Sequence, residues 1–242
     1  QLFLSTHSVH ISEASRISSM TILDKTKSAI VAYKPDNNLN EEEIEYLERY
    51  LDATKTSILF SKNVCIVEGT AEIIMIPKLY ELIYNFRFSS LGLSIHSIDS
   101  SFFEGISKLF HEDRVQKFTS LITDGDKDYI NPKSNKEKNA QKRIKKLFDL
   151  HKENDYVEIT YSEYTFEIDF YRLNKKILKR FIVDNEIYKD TKIINEFDAD
   201  ENIFYSRISK LCDKLGKGWL AYRFIQWLSI KTENVKDKNT DK

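Results

Sequence analysis

The chain contains few residues that interrupt or cross-link regular structure, with only six glycines, three prolines and two cysteines in 242 residues. Low glycine and proline content together with 31% charged residues suits a helix-rich α/β protein. Cys65 and Cys212 are isolated, with no second cysteine or histidine at zinc-ligand spacing, which argues against a disulfide framework and a zinc site. Cys65 lies in a predicted strand and is interpreted as a small core residue.

Long apolar runs are also absent, and no signal peptide is visible. We therefore expect a cytoplasmic protein without a membrane partner. The chain has no excess charge of one sign, since 37 basic residues stand against 38 acidic ones and the net charge is -1. Any binding of a polyanion must therefore come from a local patch.

Four carboxylates follow two short apolar runs, Val64–Val67 and Leu121–Thr123. They are Glu68 and Glu72 after the first run, and Asp124 and Asp126 after the second. Each run reads as a buried strand, and the carboxyl ends of neighbouring parallel strands line a common crevice. Four converging carboxylates have no good partner except a hard divalent cation, so the pattern indicates a magnesium site. Either motif alone would more often be a helix N-cap or a solvated loop.

The order of the remaining elements predicts an α/β fold. Besides the strand at 64–67, strands are predicted at 91–98, at 117–123, which contains the second apolar run, and at 156–160. Helices are predicted at 73–83 and 102–110. Strands that alternate with helices favour a parallel sheet with right-handed crossovers, flanked by helices. Additional helices are expected at the C-terminal end.

The paired acidic motifs resemble those of the Toprim domain, the metal-dependent module of topoisomerases, bacterial primases and OLD (overcoming lysogenization defect) family nucleases. Glu68 with Glu72 matches its first motif, and Asp124 with Asp126 matches its DxD motif. The resemblance implies a Toprim-type parallel sheet. Topoisomerases add a nucleophilic tyrosine, and primases add a zinc ribbon that this chain lacks.

Further segments resemble the OLD nucleases in particular. Residues 1–8 read as an apolar strand that ends in a polar turn. Within it Ser5-Thr6-His7-Ser8 resembles the switch-histidine segment of ABC-type ATPases, and 49–60 resembles the connector that precedes the Toprim domain. Thr165-Phe166-Glu167 and Lys217-Gly218-Trp219-Leu220-Ala221 resemble two segments of the family's nuclease site. The implied organisation is the end of an ATPase domain at 1–12, a helical connector at 13–57, a Toprim nuclease domain with helical insertions at 58–230 and a polar, disordered tail at 231–242. The chain is accordingly expected to be a fragment that lacks the ATPase core.

The resemblance also implies a role for each site residue. Glu68, Glu72 and Asp124 would hold the Mg²⁺ or Mn²⁺ ion that activates water, while Asp126 and Glu167 would hold a second ion, with Asp124 able to bridge both. Lys217 would stabilise the transition state or protonate the leaving oxygen, and Lys214 is the alternative. His7 would sense ATP bound by the upstream domain.

A basic run lies directly after the DxD motif, with seven basic residues between Lys133 and Lys146 against Glu137 alone. A solvated helix face explains such a run by default. Because DNA would have to pass the metal site here, the run is also the preferred phosphate-contacting segment. The residues chosen for that role are Lys142, Arg143, Lys145 and Lys146.

The leading functional hypothesis is a metal-dependent DNA endonuclease or nickase, regulated by ATP and acting in anti-phage defence. Expected partners are DNA, further copies of the chain in a dimer or tetramer, and a helicase subunit if the protein is Gabija-like. Two alternatives stay open: another Toprim enzyme, primase-like or RNA-cleaving, and a non-catalytic nucleic-acid-binding or assembly module. An upstream P-loop and ABC signature would favour the first hypothesis.

Overall fold

The computed structural model describes residues 2–25, 29–51, 56–128 and 134–240. The strands in these ranges are β1 (Ile22–Lys25), β2 (Ile30–Tyr33), β3 (Asn63–Val67), β4 (Leu93–Ser97), β5 (Thr119–Thr123) and β6 (Val157–Tyr161). The α-helices with described bounds are α1 (Val9–Glu13), α2 (Glu41–Tyr50), α3 (Thr70–Tyr84), α4 (Phe103–Ser107), α5 (Asn135–Leu150), α6 (Phe166–Leu173), α7 (Lys175–Asp184), α8 (Thr191–Asn195), α9 (Glu201–Leu215) and α10 (Lys217–Thr240).

Four strands form a parallel sheet in the order β4-β3-β5-β6. In its register, Ile66 of β3 pairs with His96 of β4 and with Leu121 of β5. Ile66 and Val67 are completely buried, and so is Leu121. A central parallel strand is covered on both faces and therefore requires consecutive apolar residues, which explains the uninterrupted run in β3. The predicted parallel α/β sheet is confirmed.

The chain folds into two compact units, and each is discontinuous in sequence. The first unit comprises Gln1–Val67, Leu91–Ile122 and Lys145–Thr160, and the second comprises Glu68–Ser90, Thr123–Ile144 and Tyr161–Lys242. The first unit contains the sheet except for the last residues of β5 and β6, while the second contains α3 and α6 to α10. Each unit has its own apolar core. The domain boundaries drawn along the sequence remain a prediction.

The N-terminal segment differs from its predicted structure. Residues 2–8 form no strand, although an apolar strand was expected there. A strand requires a neighbour that completes its ladder of hydrogen bonds, and no described residue of this chain supplies one. Leu2 and Phe3 are accordingly 88% and 85% exposed.

The segment 13–57, predicted as a helical connector, contains an antiparallel pair of strands as well as α2. Residues of β1 pair with β2 from Ile22 opposite Tyr33 to Lys25 opposite Ile30. The β-branched side chains in these segments favour a strand over a helix. Part of the connector motif, residues 52–54, lies outside the described residues.

Helix α10 extends to Thr240, so the backbone of residues 231–240 is helical where disorder was expected. The reason lies in the sequence, because no glycine or proline follows Gly218 to end the helix. Despite the length of α10, no helix in the described part of the chain combines the length and apolar character that a bilayer span requires.

A buried histidine lies in the first unit. His151 is 8% exposed, and its Nε2 lies 2.8 Å from Ser107 Oγ. Its Nδ1 lies 3.0 Å from the amide Nδ2 of Asn154. These contacts suit a neutral ring that accepts at Nδ1 and donates at Nε2. Burial, together with the neighbouring positive charges of His111, Arg114 and Lys108, lowers the pKa of His151 to about 4.

Acidification is therefore predicted to destabilise the protein through His151. Between the unfolded pKa of 6.5 and the folded value of about 4, the unfolded chain binds more protons than the folded one. Stability hence falls as the pH is lowered through this window, by on the order of 2 kcal/mol from this group. Denaturant unfolding of wild type and His151→Gln at pH 7 and pH 5 checks the effect, and the variant should lose less stability. Equal losses would show that His151 does not carry the pH dependence.

Candidate functional site

The five carboxylates predicted from the sequence all lie in the second unit. Glu68 follows β3 directly, Glu72 lies in the first turn of α3, Asp124 and Asp126 follow β5, and Glu167 lies in the first turn of α6. The elements that carry them are the ends of β3 and β5 and the starts of α3 and α6. The sequence pattern predicts the convergence of the two strand ends. Glu72 and Glu167 are each only 3% exposed.

The turn Asp124-Gly125-Asp126 is held against the segment that follows β6. The backbone N–H of Asp126 donates to the carbonyl of Tyr164 at 2.8 Å. A Cβ atom at Gly125 would clash with the carbonyl oxygen of Ser162, so only glycine permits this approach. Asp126 has a φ of 52°, in the left-handed region that aspartate tolerates better than most residues. The glycine between the two aspartates is therefore a packing requirement.

Asp124 is oriented by two hydrogen bonds to one carboxylate oxygen. Its Oδ1 accepts from Ser162 Oγ at 2.9 Å and from the backbone N–H of Phe166 at 2.9 Å. Sequence reasoning did not find Ser162, because a single serine after a strand carries no signal of such a role. The contact links the DxD turn to the segment that begins α6 and carries Glu167.

The carboxylates are close enough to influence one another's protonation. The pKa of Asp124 is raised to about 7, first by burial and then by Glu68, with further contributions from Glu72 and Glu167. Burial raises the pKa of Glu72, with Glu167 adding to the effect, and burial followed by Glu68 raises that of Asp126. The structure therefore brings all five predicted carboxylates into one electrostatically coupled group.

Arg143 of α5 binds this group directly. Its Nη2 lies 2.9 Å from Glu68 Oε1 and 2.9 Å from the carbonyl oxygen of Asp124. The same Glu68 oxygen accepts hydrogen bonds from the Thr123 hydroxyl and from the backbone N–H of Asp124. The sequence had placed Arg143 among the phosphate contacts, whereas the structure places its guanidinium against Glu68.

Lys217 also binds a site carboxylate. Its Nζ donates to Glu167 Oε2 at 3.0 Å, and the hydroxyl of Thr165 donates to the same oxygen at 2.8 Å. Burial lowers the pKa of Lys217, but the attraction of and hydrogen bond to Glu167 together with the charge of Asp124 raise it, and the net shift is upward. The alternative, Lys214, donates to the carbonyl of Ile187 at 2.9 Å and lies over the ring of Tyr188. Position therefore favours Lys217 as the site lysine.

The remaining predicted residues are lysines of the basic run and His7. Lys142 and Lys145 are exposed on α5, and Lys146 pairs with Glu104 at 2.6 Å in the first unit. Lys133 lies outside the described residues. His7 is exposed in the first unit, with its ring centre 6.5 Å from that of Phe60.

The donor chemistry of the site fits a hard divalent cation, since its members offer carboxylate oxygens and their mutual repulsion would be relieved by positive charge. The side chains are not yet arranged as ligands. Within the described residues, no group of three or more histidine, cysteine, aspartate or glutamate side chains is placed so that it could hold a metal ion. Glu68 and Glu167 are instead turned towards Arg143 and Lys217.

Comparison with known proteins agrees with this geometry. Residues 59–126 match the family model described as the TOPRIM domain of overcoming lysogenization defect protein-like proteins. The matched segment contains both acidic motifs. None of the curated protein sequences compared with the chain matches it.

Solved structures of two OLD proteins share the fold. The C-terminal region of the Burkholderia pseudomallei OLD protein has a TM-score of 0.52 at 21% identity, covering 69% of this chain and 88% of that one. The C-terminal region of the Xanthomonas campestris pv. campestris OLD protein, phased with mercury, has a TM-score of 0.50 at 19% identity, covering 69% and 86%.

The parallel sheet and the acidic motifs at its strand ends define a Toprim-type domain. The match over residues 59–126 assigns that segment to the OLD-like Toprim domains and confirms the resemblance seen in the sequence. An OLD-like Toprim domain indicates a nuclease-type function.

Replacing Asp124 with asparagine is predicted to stabilise the metal-free protein at pH 8. The folded pKa of about 7 lies above the ordinary value of 3.8, so ionisation of Asp124 costs stability as the pH rises through 7. The asparagine amide would keep an oxygen that accepts from Ser162 but would carry no charge. Allowing for relaxation, the gain should be about 1–2 kcal/mol and should shrink as the pH falls towards 4.

Denaturant unfolding in EDTA measures this gain. Asp149→Asn, at an exposed position of α5, is the control for loss of one negative charge. If Asp124→Asn is less stable than wild type at pH 8, the carboxylate is a net stabilising group.

Proposed function

We propose that the chain is the nuclease part of a DNA endonuclease that uses Mg²⁺ or Mn²⁺ and nicks or cuts the phosphodiester backbone. The proposed protein is cytoplasmic and acts in anti-phage defence, and an ATPase domain upstream of Gln1 controls cleavage, with His7 sensing the nucleotide. Proposed partners are DNA, further copies of the chain in a dimer or tetramer and, for a Gabija-like protein, a helicase subunit.

The observation that supports this proposal best is the coupled group of five carboxylates with a lysine at its edge. A site that serves only to bind nucleic acid would gain nothing from a cluster of carboxylates, which repel phosphates. Phosphodiester hydrolysis, by contrast, requires cation ligands, a group that favours a nucleophilic water and a donor for the leaving oxygen. The carboxylates suit the first requirement, and Lys217 suits the last.

In the proposed mechanism Glu68, Glu72 and Asp124 would hold one cation, and Asp126 with Glu167 would hold a second. Asp124 would be able to contribute to both sets, since Glu167 as well as Glu68 and Glu72 raises its pKa. Bound Mg²⁺ or Mn²⁺ would supply positive charge for the phosphoryl oxygens and favour attack by water at neutral pH. The hydrogen bonds from Ser162 and Phe166 keep Asp124 in one orientation, which limits reorganisation during the reaction.

Lys217 acts on the leaving group. The attraction of Glu167 keeps it an ammonium ion at neutral pH, so it can donate a hydrogen bond or a proton to the departing alkoxide oxygen. The start of α10 lies against α3 at Gly218, since a Cβ at that position would make an ordinary van der Waals contact of 3.4 Å with the Thr70 side chain. The start of α10 thereby carries Lys217 beside the first turn of the helix that holds Glu72.

Plasmid nicking by the full-length protein tests this function. With Mg²⁺ or Mn²⁺ the wild type should nick, and Lys217→Ala should lower the turnover rate by about 10²–10³-fold with little change in DNA affinity. Lys217→Arg should recover activity only in part, since a planar guanidinium does not reproduce a compact ammonium.

Lys214→Ala is the matched control, three residues away on the preceding helix and bound to Ile187 instead of a carboxylate. It should retain turnover. If Lys214→Ala lost activity while Lys217→Ala retained it, Lys214 would be the residue that acts on the leaving group. A wild type without metal-dependent cleavage would favour a non-catalytic binding module, and cleavage of RNA alone would favour a different Toprim enzyme.

The exposed lysines of α5 are proposed to contact DNA phosphates. Replacing Lys142, Lys145 and Lys146 with glutamine should weaken DNA binding and lower the slope of log K against log salt by about two to three, since each lost contact removes nearly one unit. Arg143 is left in place, because it is bound to Glu68. Binding would be measured by fluorescence anisotropy over a range of salt concentrations.

A second triple variant controls for the overall loss of charge. Lys189, Lys192 and Lys210 are exposed and lie elsewhere in the second unit, so their replacement by glutamine removes the same charge. An equal change of slope in both triple variants would mean that the α5 lysines make no specific contact with DNA phosphates.

A further inference from the structure

Arg143 makes a concentrated set of contacts with the acidic site. Besides its bonds to Glu68 and to the Asp124 carbonyl, its Nε and Nη2 lie 3.2 and 3.1 Å from the Thr123 hydroxyl. Its Nη2 is also 3.9 Å from Asp126 Oδ2. One guanidinium thus contacts residues of both acidic motifs.

The backbone of α5 directs this side chain inward. Ala140 and Leu147, three residues before and four after Arg143, are 0% and 1% exposed, so position 143 lies on the buried face of the helix. The exposed fractions of the Arg143 and Glu68 side chains are 21% and 19%. Partial burial strengthens the attraction between opposite charges and reduces screening by salt.

These contacts use the groups that a cation would need. Three donors converge on Glu68 Oε1, namely the Thr123 hydroxyl, the Asp124 N–H and the Arg143 guanidinium. A divalent ion bound to that oxygen would lie next to a permanently charged guanidinium, and the two positive charges would repel each other. Glu68 therefore cannot serve Arg143 and a divalent cation equally well.

We propose that Arg143 is a latch on the acidic site. It satisfies Glu68 in the metal-free protein and must release this carboxylate before a divalent cation can use it, so Arg143 competes with the metal and sets the concentration at which the site fills. This inference rests on the proposed function, since it assumes that Glu68 is a metal ligand.

A different role would give the opposite result. If Arg143 only braced Glu68 in the orientation that a cation requires, its removal would weaken metal binding. If Arg143 is a latch, its removal strengthens metal binding. The direction of the change in metal affinity therefore decides between the two roles, and it can be measured without DNA or turnover.

The test is a calorimetric titration of Mn²⁺ into the DNA-free protein. Arg143→Gln should bind Mn²⁺ about tenfold more tightly than wild type, the change expected for loss of one partly buried ion pair. Lys142→Gln, which removes the same charge from the adjacent exposed position, should change the affinity much less. Arg143→Lys should lie between wild type and Arg143→Gln, because an ammonium keeps the charge but loses the guanidinium fork.

Three results would overturn the latch. An unchanged or weaker affinity in Arg143→Gln, with wild type binding Mn²⁺, would reject it and leave the metal site standing. Equal gains in Mn²⁺ affinity in Arg143→Gln and Lys142→Gln would show that only the net charge matters. Absence of Mn²⁺ binding in every protein would reject the metal site itself, and the latch with it. Thermal melts followed by circular dichroism would verify folding, and Arg143→Lys decides the matter if Arg143→Gln does not fold.

Discussion

The gathering of five carboxylates at strand ends and helix starts is the constraint on which the site depends. Glu72 and Glu167 are buried, and the repulsion that Asp124 experiences adds to burial in bringing its pKa to about 7. A folded chain can keep such a group only if other interactions compensate for the free-energy cost of burying carboxylates that repel one another. Arg143 and Lys217 provide positive charge at two points, and backbone and hydroxyl donors provide hydrogen bonds at others. Because clustering these carboxylates costs folding stability, we interpret the cluster as a functional site.

Much of the local sequence is explained by this constraint. Gly125 allows the DxD turn to approach the backbone after β6, and Ser162 uses that approach to orient Asp124. Thr123 and Thr165 place hydroxyl donors on Glu68 and Glu167. Three of the carboxylates are thereby held by hydroxyl donors, of which only Thr165 lies beside its carboxylate in the sequence.

The sequence predicted the parallel sheet, because buried parallel strands require apolar runs. It also predicted that the acidic residues after two of those runs lie close together, whereas Glu167 was implied by the family resemblance alone. It did not predict the inward direction of Arg143. Arg143 differs from the neighbouring basic residues of the run in lying on the same helix face as Ala140 and Leu147, which are buried. These two apolar residues were the indication in the sequence of which face points inward. Ser162 had no signal, since its role arises from a contact across the chain. The strand predicted at residues 2–8 failed because a strand requires a partner, which local sequence cannot reveal.

In the proposed site the five carboxylates together bind divalent cations, and Glu68 exchanges Arg143 for a cation. Anomalous diffraction from crystals grown with Mn²⁺ is the decisive test. Anomalous peaks are expected at the carboxylates of Glu68, Glu72 and Asp124 and at those of Asp126 and Glu167, with the guanidinium of Arg143 withdrawn from Glu68. Peaks elsewhere on the molecule, or Mn²⁺ bound to Glu68 with the Arg143 contact intact, would contradict this proposal.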